Sequence, residues 1–299
     1  MLKKISDLDK ILEGQKEKKK IAVAAAKDQN ALEAVFNARA KGVVEPILVG
    51  DKEGIEKICK DKGFDLKGIK IVDEKNPNKA ALEAVKLVSS KEADILMKGH
   101  VSTGGLLKAV LNKEFGLRKG GVISHFAMFE VPTYDKIIGL TDVAMNIKPD
   151  LKEKGEIVKN AVEFMNKLGY EKPKVAAVCA VEVVNPAMPD TLDAAILSKM
   201  ADRKQIPNCI IDGPLAFDNA VSVESAHHKG IESIVAGNAD LLLAPDIEAG
   251  NVLYKSFIFF SRAKCAAVIL GAAAPIVLTS RADSDETKLN SIKLAAAIN

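Results

Sequence analysis

Short apolar runs alternate with amphipathic stretches along most of this chain. Ile21–Ala26, Pro46–Val49, Ile69–Val72 and Asp94–Met97 are the first four runs. Each is followed by a stretch with helical character: 28–40, with Ala31, Val35 and Ala38 on one side, then 52–62, then 79–89, with Ala81, Ala84, Val85 and Val88, then 103–111. This alternation predicts a parallel sheet covered on both faces by helices. Residues 4–14 precede it as a short helix with Ile5, Leu8 and Leu12 on one face. The middle breaks the rhythm: 122–131 and 136–140 read as adjacent strands, and 149–168 as one long amphipathic helix. From Lys174 the alternation resumes, with strands at 175–181, 209–212 and 240–244 and helices at 190–202, 222–235 and 250–263. Strands at 266–270 and 276–278 lead into a last helix that starts near Asp283 or Ser284. The expected fold is α/β: two α/β domains with a cleft between them. The last strand returns to the first domain, which is therefore discontinuous, residues 1–131 plus 268–299. The second domain is 132–267.

Composition narrows the function classes. The chain has 299 residues, 48% hydrophobic and 28% charged, enough for a sizeable core under a solvated surface. A net charge of +3 and 4% aromatics with no Trp give no basis for a nucleic-acid partner. Cys59, Cys179, Cys209 and Cys265 lack metal-site or redox spacing, so they read as small buried hydrophobes and no metal is expected. The first ten residues are charged and amphipathic, unlike a signal peptide, and the apolar run 266–278 is too short to span a bilayer of ~30 Å. A soluble cytoplasmic protein is expected, with no membrane partner.

No dinucleotide fingerprint, Walker loop, nucleophile elbow or HExxH motif is present. Polar turns after strands take their place. Met97-Lys-Gly-His-Val-Ser-Thr-Gly-Gly105 joins a strand to a helix. Lys98 there reads equally as an anion ligand or as a solvated strand end, and Ser102 or Thr103 as the helix cap. Ser124 and His125 open a strand, where a satisfied structural His is the simpler reading. Thr141 to Asn146 follows another strand, with Asp142 and Asn146 read as turn or cap residues. Asp212-Gly-Pro214 reads as a tight turn. Gly250 and Asn251 stand at a helix entry. Near the C-terminus, Ile276–Leu278 runs into Thr279-Ser-Arg-Ala-Asp-Ser-Asp-Glu286. A strand that meets a helix N-terminus beside an arginine can seat an anion such as phosphate, although Asp283 with Glu286 also reads as a capping box. Several such turns together match the rule that α/β ligands gather at the carboxyl ends of parallel strands.

These stretches carry a resemblance. Met97–Thr103, Ser124-His125 with Phe129-Glu130, Thr141–Asn146, Cys179–Val183, Asn185-Pro186 and Asp212–Leu215 form its first part. Ala226–Gly230, Val235–Gly237, Gly250-Asn251 with Tyr254-Lys255, and Thr279–Ser284 complete it. Over essentially its whole length the chain resembles the phosphate acetyltransferase and phosphate butyryltransferase family. The resemblance implies reversible acyl transfer between coenzyme A and inorganic phosphate, with butyryl favoured and acetyl as the alternative. It implies a fold similar to isocitrate and isopropylmalate dehydrogenases, without their NAD chemistry. A metal- and NAD-dependent decarboxylating dehydrogenase and a non-catalytic CoA-binding protein are the competing classes. No cofactor is expected beyond the CoA thioester itself, and a homo-oligomer, at least a dimer, is expected.

Site residues follow from the same resemblance. The acetyltransferase branch has a Ser-Arg pair in its active site, which falls on Ser280 and Arg281. Its catalytic aspartate falls on Thr287, so Asp283 and Asp285 stand as candidates for the base. Lys98, Ser102, Thr103, Ser124, His125, Asn146, Gly250 and Asn251 are the candidate CoA- and phosphate-binding residues.

Overall fold

The structure, a computed structural model, describes residues 2–15, 17–278 and 283–298. In chain order the elements begin with α1 (Asp7–Glu13), β1 (Lys19–Ala24), α2 (Gln29–Ala40), β2 (Val44–Gly50), α3 (Lys52–Lys62) and β3 (Lys70–Asp73). Next come α4 (Pro77–Ser89), β4 (Ile95–Lys98), α5 (Thr103–Val110), β5 (Ser124–Glu130), β6 (Ile138–Thr141), α6 (Leu151–Lys167) and β7 (Lys174–Val178). The chain continues through α7 (Pro189–Asp202), β8 (Ile210–Leu215), α8 (Phe217–Val221), α9 (Val223–His228), β9 (Leu241–Leu243) and α10 (Ile247–Phe259). It closes with β10 (Lys264–Leu270), β11 (Ile276–Val277) and α11 (Asp285–Ala296).

Two compact units divide these elements. One, here the terminal unit, takes Ser6–Gly121 and Ala266–Asn299; the other, the middle unit, takes Met1–Ile5 and Val122–Cys265. The segment 122–131, assigned from sequence to the first domain, lies in the middle unit. The reason is pairing: β5 runs antiparallel to β6, with Ala127 opposite Leu140 and Phe129 opposite Ile138.

In the terminal unit the strand order is β3-β2-β1-β4-β11-β10. The first five strands are parallel, and β10 joins β11 antiparallel. The sheet is therefore mixed rather than wholly parallel. β1 is buried from Ile21 onward, which is why its run shows no alternation. The helices start where short polar side chains satisfy their orphan N–H groups: Asp28, Asp51, Asn76 and Ser102 cap α2, α3, α4 and α5. α11 packs on α1 and α2, and its buried Lys293 reaches Asp9 at 2.6 Å.

In the middle unit the order is β5-β6-β9-β7-β8, with β6, β9, β7 and β8 parallel. The long helix starts at a full capping box, Asp150 with Glu153. Lys154, only 4% exposed, sits between Asp190 at 2.6 Å and Asp193 at 2.7 Å. Burial opposes its charge, but the two carboxylates outweigh that and hold its pKa above the ordinary lysine range. Asp212-Gly-Pro214 does not end its strand: β8 continues to Leu215. β8 is the last strand of the order, and an edge strand tolerates a residue without an N–H. Of the helix expected over 222–235 only the first part forms, as the short α9; α8 precedes it and residues 229–235 are not helical. Among the described residues, no helix is long and apolar enough to cross a membrane.

Candidate active site

The terminal unit brings Lys98, Ser102 and Thr103 to the end of its sheet where β11 also finishes. Ile276 pairs with Leu96 and Val277 with Met97 in parallel register. β4 and β11 thus leave the sheet side by side, Lys98 one residue past Met97 and Leu278 one past Val277. The strand order also reverses here, β1 to β3 lying on one side and β4 on the other. A reversal of this kind is where open α/β sheets present ligands. Two backbone hydrogen bonds close the seam: Gly99 N–H donates to Ala24 O and His100 N–H to Ala25 O, both at 2.8 Å. A Cβ on Gly99 would lie 2.5 Å from the Ala25 oxygen, so only glycine lets the two strand ends approach this closely.

Lys98 is half-buried, and its ammonium donates to Gly99 O at 3.3 Å. Ser102 caps α5, its hydroxyl accepting from Gly105 N–H at 3.0 Å. Thr103 is the first helical residue. Gly105 lies close against α4: a Cβ there would sit 2.5 Å from the Asn78 side-chain oxygen.

Ser280 and Arg281 lie outside the described residues. The helix that follows them is capped by Ser284, not by Asp283. The Ser284 hydroxyl accepts Thr287 N–H at 3.1 Å and sits 3.0 Å from the Thr287 hydroxyl. A capping box from Asp283 to Glu286 is therefore not what starts α11; the start falls one residue later, on the shorter hydroxyl. Asp283 is half-buried. Asp285 is the first residue of α11; its side chain is 70% exposed and pairs with the Lys288 ammonium at 3.3 Å. Thr287 is buried.

The middle unit gathers its own candidates around a residue that the sequence flagged only as a cap. Asp142 is 3% exposed. Its Oδ1 accepts the backbone N–H groups of His125 at 3.0 Å, Ala144 at 3.0 Å and Met145 at 3.2 Å. Its Oδ2 accepts Asn146 N–H at 2.9 Å and the Asn146 side-chain amide. A buried carboxylate that collects this many donors is both solvated and held in place by the backbone around it. The same Asn146 amide donates to Ile123 O at 2.9 Å, tying the turn to the start of β5.

Gly250 and Asn251 support this turn from α10. The Asn251 amide donates to Val143 O at 3.4 Å. A Cβ on Gly250 would fall 2.2 Å from Asp142 O, so glycine lets the helix lie against the turn. Ser124 is wholly buried and accepts from the Asn160 amide at 3.2 Å. Asn146, Gly250 and Asn251 thus serve to hold the turn that surrounds Asp142.

His125 is also buried, and its Nδ1 has no hydrogen-bond partner among the described residues. Burial lowers its pKa to about 4, against the opposing pull of Asp142. The imidazole is therefore neutral at ordinary pH. Tyr254 lies with its ring 6.2 Å from it.

Chemically, the terminal unit offers lysine, small hydroxyls and helix N-termini at a strand-order reversal, which suits an anion. The middle unit offers a rigid polar turn with a neutral imidazole. Sequence reasoning underrated Asp142. Its signal was a carboxylate followed by three more turn residues and an amide, directly after an apolar strand.

A family model and full-length relatives show the family of this chain. Residues 6–83 and 74–296 match the family described as phosphate acetyl/butaryl transferase. The phosphate butyryltransferase of Clostridium acetobutylicum is 54% identical over 283 residues, covering 95% of this chain and 94% of that protein. The phosphate acetyltransferase of Thermotoga maritima is 48% identical over 290 residues, covering 97% of this chain and 98% of that protein. The crystal structure of a branched-chain phosphotransacylase from Enterococcus faecalis V583 matches with a TM-score of 0.82 at 36% identity. It covers 93% of this chain and 98% of that one.

Proposed function

The chain belongs to the phosphate acetyl/butaryl transferase family, and from that premise we propose the following reaction. Acyl-CoA plus inorganic phosphate gives acyl phosphate plus CoA, reversibly, with butyryl as the favoured acyl group. The observation that carries this reading is the near full-length identity to relatives named for it. The kinship of fold with isocitrate and isopropylmalate dehydrogenases is part of the proposal, without NAD chemistry. So are a cytoplasmic location, a homo-oligomeric state and the absence of any cofactor beyond the CoA thioester.

In the forward direction a phosphate oxygen attacks the thioester carbonyl carbon. The carbonyl oxygen takes up negative charge. The C–S bond then breaks, its electron pair leaves on sulfur, and the CoA thiolate takes a proton. Arg281 presents a planar fork of donors suited to phosphate. Ser280 and the N–H groups that start α11 suit the developing oxyanion. Asp283 and Asp285 are the candidates for proton transfer in the reverse direction. Asp283, half-buried, fits that role better than Asp285, which is exposed and paired with Lys288. Lys98 adds charge where β4 leaves the sheet.

Acetyl transfer is the second reading, favoured by the phosphate acetyltransferase among the similar proteins. One measurement decides between them: phosphate-dependent release of free thiol from butyryl-CoA against acetyl-CoA, compared as kcat/KM. Higher kcat/KM with butyryl-CoA is expected. A preference for acetyl-CoA selects the second reading, and thiol release that ignores phosphate sinks both.

A further inference from the structure

The first residues of the chain are held at two places. Leu2 and Ile5, 5% and 4% exposed, belong to the middle unit, and Lys3 and Lys4 between them are exposed. Two hydrogen bonds seat this segment. The Tyr170 hydroxyl donates to Leu2 O at 3.2 Å, and the Ile5 N–H donates to the Glu130 carboxylate at 2.8 Å. Glu130 ends β5 and has no part in the proposed chemistry.

From Ser6 onward the chain belongs to the terminal unit. Ser6 has helical dihedrals, φ −64° and ψ −15°, and Asp9 N–H donates to its carbonyl at 3.1 Å. One residue in helical conformation therefore joins the seat to α1, a joint with little slack. α1 and the residues after it hold the second half of α11. Asp9 meets the buried Lys293 ammonium at 2.6 Å, and the Gln15 amide donates to Ala296 O at 3.0 Å. With its charge out of water, Lys293 needs that carboxylate. The other end of α11 starts at Ser284, next to Asp283, the candidate base. A helix moves both its ends together, and at 1.5 Å per residue the two holds lie about 12–17 Å from that start.

We propose that Leu2–Gln15 is a positioning element for the acyl transfer: its seat on Glu130 and Tyr170 fixes α1, α1 fixes α11, and α11 fixes the turn that precedes it. The assignment rests on the acyl-transfer reading. Glu130, Tyr170 and Asp9 are positioning residues, acting through α11.

Turnover of butyryl-CoA with phosphate is measured for the wild type, Glu130→Ala, Asp9→Ala and the double variant, each below its melting temperature. Misplacing a reacting group by ~1 Å costs up to about 100-fold, so each single variant is expected to lose about tenfold in kcat. The double variant should lose no more than the worse single one, since both changes break the same path. Full kcat in both single variants overturns the proposal, and so do losses that multiply in the double variant. Glu130→Gln keeps an acceptor for the Ile5 N–H and should turn over like the wild type. A loss there as deep as in Glu130→Ala would tie Glu130 to its charge rather than to the seat, and overturns the assignment. Should Glu130→Ala fail to fold, Tyr170→Phe, which removes only the hydroxyl on Leu2 O, takes its place in the cycle. A wild type that releases no thiol from butyryl-CoA or acetyl-CoA condemns the acyl-transfer reading instead. The mechanical link is then judged by hydrogen exchange in Glu130→Ala. Faster exchange in α1 and α11 with α3 unchanged supports it, and unchanged exchange in α11 removes it.

Discussion

The Asp142 carboxylate accepts the backbone N–H of His125 at 3.0 Å across 17 residues of chain. One side chain thereby fixes both the start of β5 and the turn after β6. Asp142→Ala would strand several buried N–H donors at once. Removing one partner from such a buried set costs about 3–5 kcal/mol. Urea denaturation should show a loss of that size, with Asp142→Asn in between. A loss comparable to an ordinary surface change, about 0.5 kcal/mol or less, would remove Asp142 as the anchor of the turn.

Two glycines should respond oppositely to a methyl group. At Gly250 the new Cβ meets the backbone of Asp142 at 2.2 Å, so α10 or the turn must shift. Gly250→Ala should cost about 1–3 kcal/mol. At Gly104, in the first turn of α5, a Cβ meets nothing within 4 Å. Gly104→Ala should gain about 0.4–1 kcal/mol by restricting the unfolded chain. Matching thermal shifts for the pair would contradict the geometry.

Acid should weaken the middle unit through His125. Burial holds its folded pKa at about 4, whereas an unfolded imidazole titrates near ~6.5. Between those values the unfolded chain binds a proton that the folded chain does not. The stability that His125 contributes is complete above the unfolded value and is lost as pH falls toward the folded one. The full loss is about 3 kcal/mol. Between about pH 7 and pH 5 the wild type should therefore lose more stability than His125→Gln, the difference following this linkage. Parallel curves for the two proteins would show that His125 carries no such linkage.

The start of α11 separates cap from catalyst. Ser284→Ala should cost about 1 kcal/mol, the worth of an N-cap, with Asp283→Asn leaving the melting temperature near wild type. A rate loss in Asp283→Asn at unchanged stability would identify it as the base; the same loss in Asp285→Asn would move the role there. Arg281→Lys should lower turnover by orders of magnitude while the fold persists, because a point ammonium cannot reproduce the planar fork. Near-normal kinetics for that variant would take Arg281 out of the reaction.

Much of the fold was legible because its strands are buried on both faces and its helices are capped by short polar residues. Ile21–Ala24 and Ile95–Met97 declare themselves as uninterrupted apolar runs. What periodicity cannot carry is direction. Nothing in Ile269 or Ile276 says that β10 and β11 run antiparallel, and nothing in Phe129 says that β5 pairs with Ile138. Pro214 was misread because a proline signals a turn unless the strand is an edge, and edges are a property of the sheet. The site was legible as polar turns and as a resemblance, but not as a hierarchy. Asp142 and Asn146 look equivalent in sequence, yet one is the buried acceptor and the other one of its donors.

The two-part make-up of the terminal unit bears on how the protein forms during synthesis. β1 to β4 emerge early, but β11, which flanks β4, and α11, which covers α1 and α2, emerge after the whole middle unit. The middle unit has all five of its strands, β5 to β9, in one continuous segment and can complete its sheet first. The usual order, N-terminal domain first, is thus reversed here. Until the segment that carries β11 has been made, the flank of β4 that β11 will occupy stays open, and β4 waits as an edge strand with only β1 beside it.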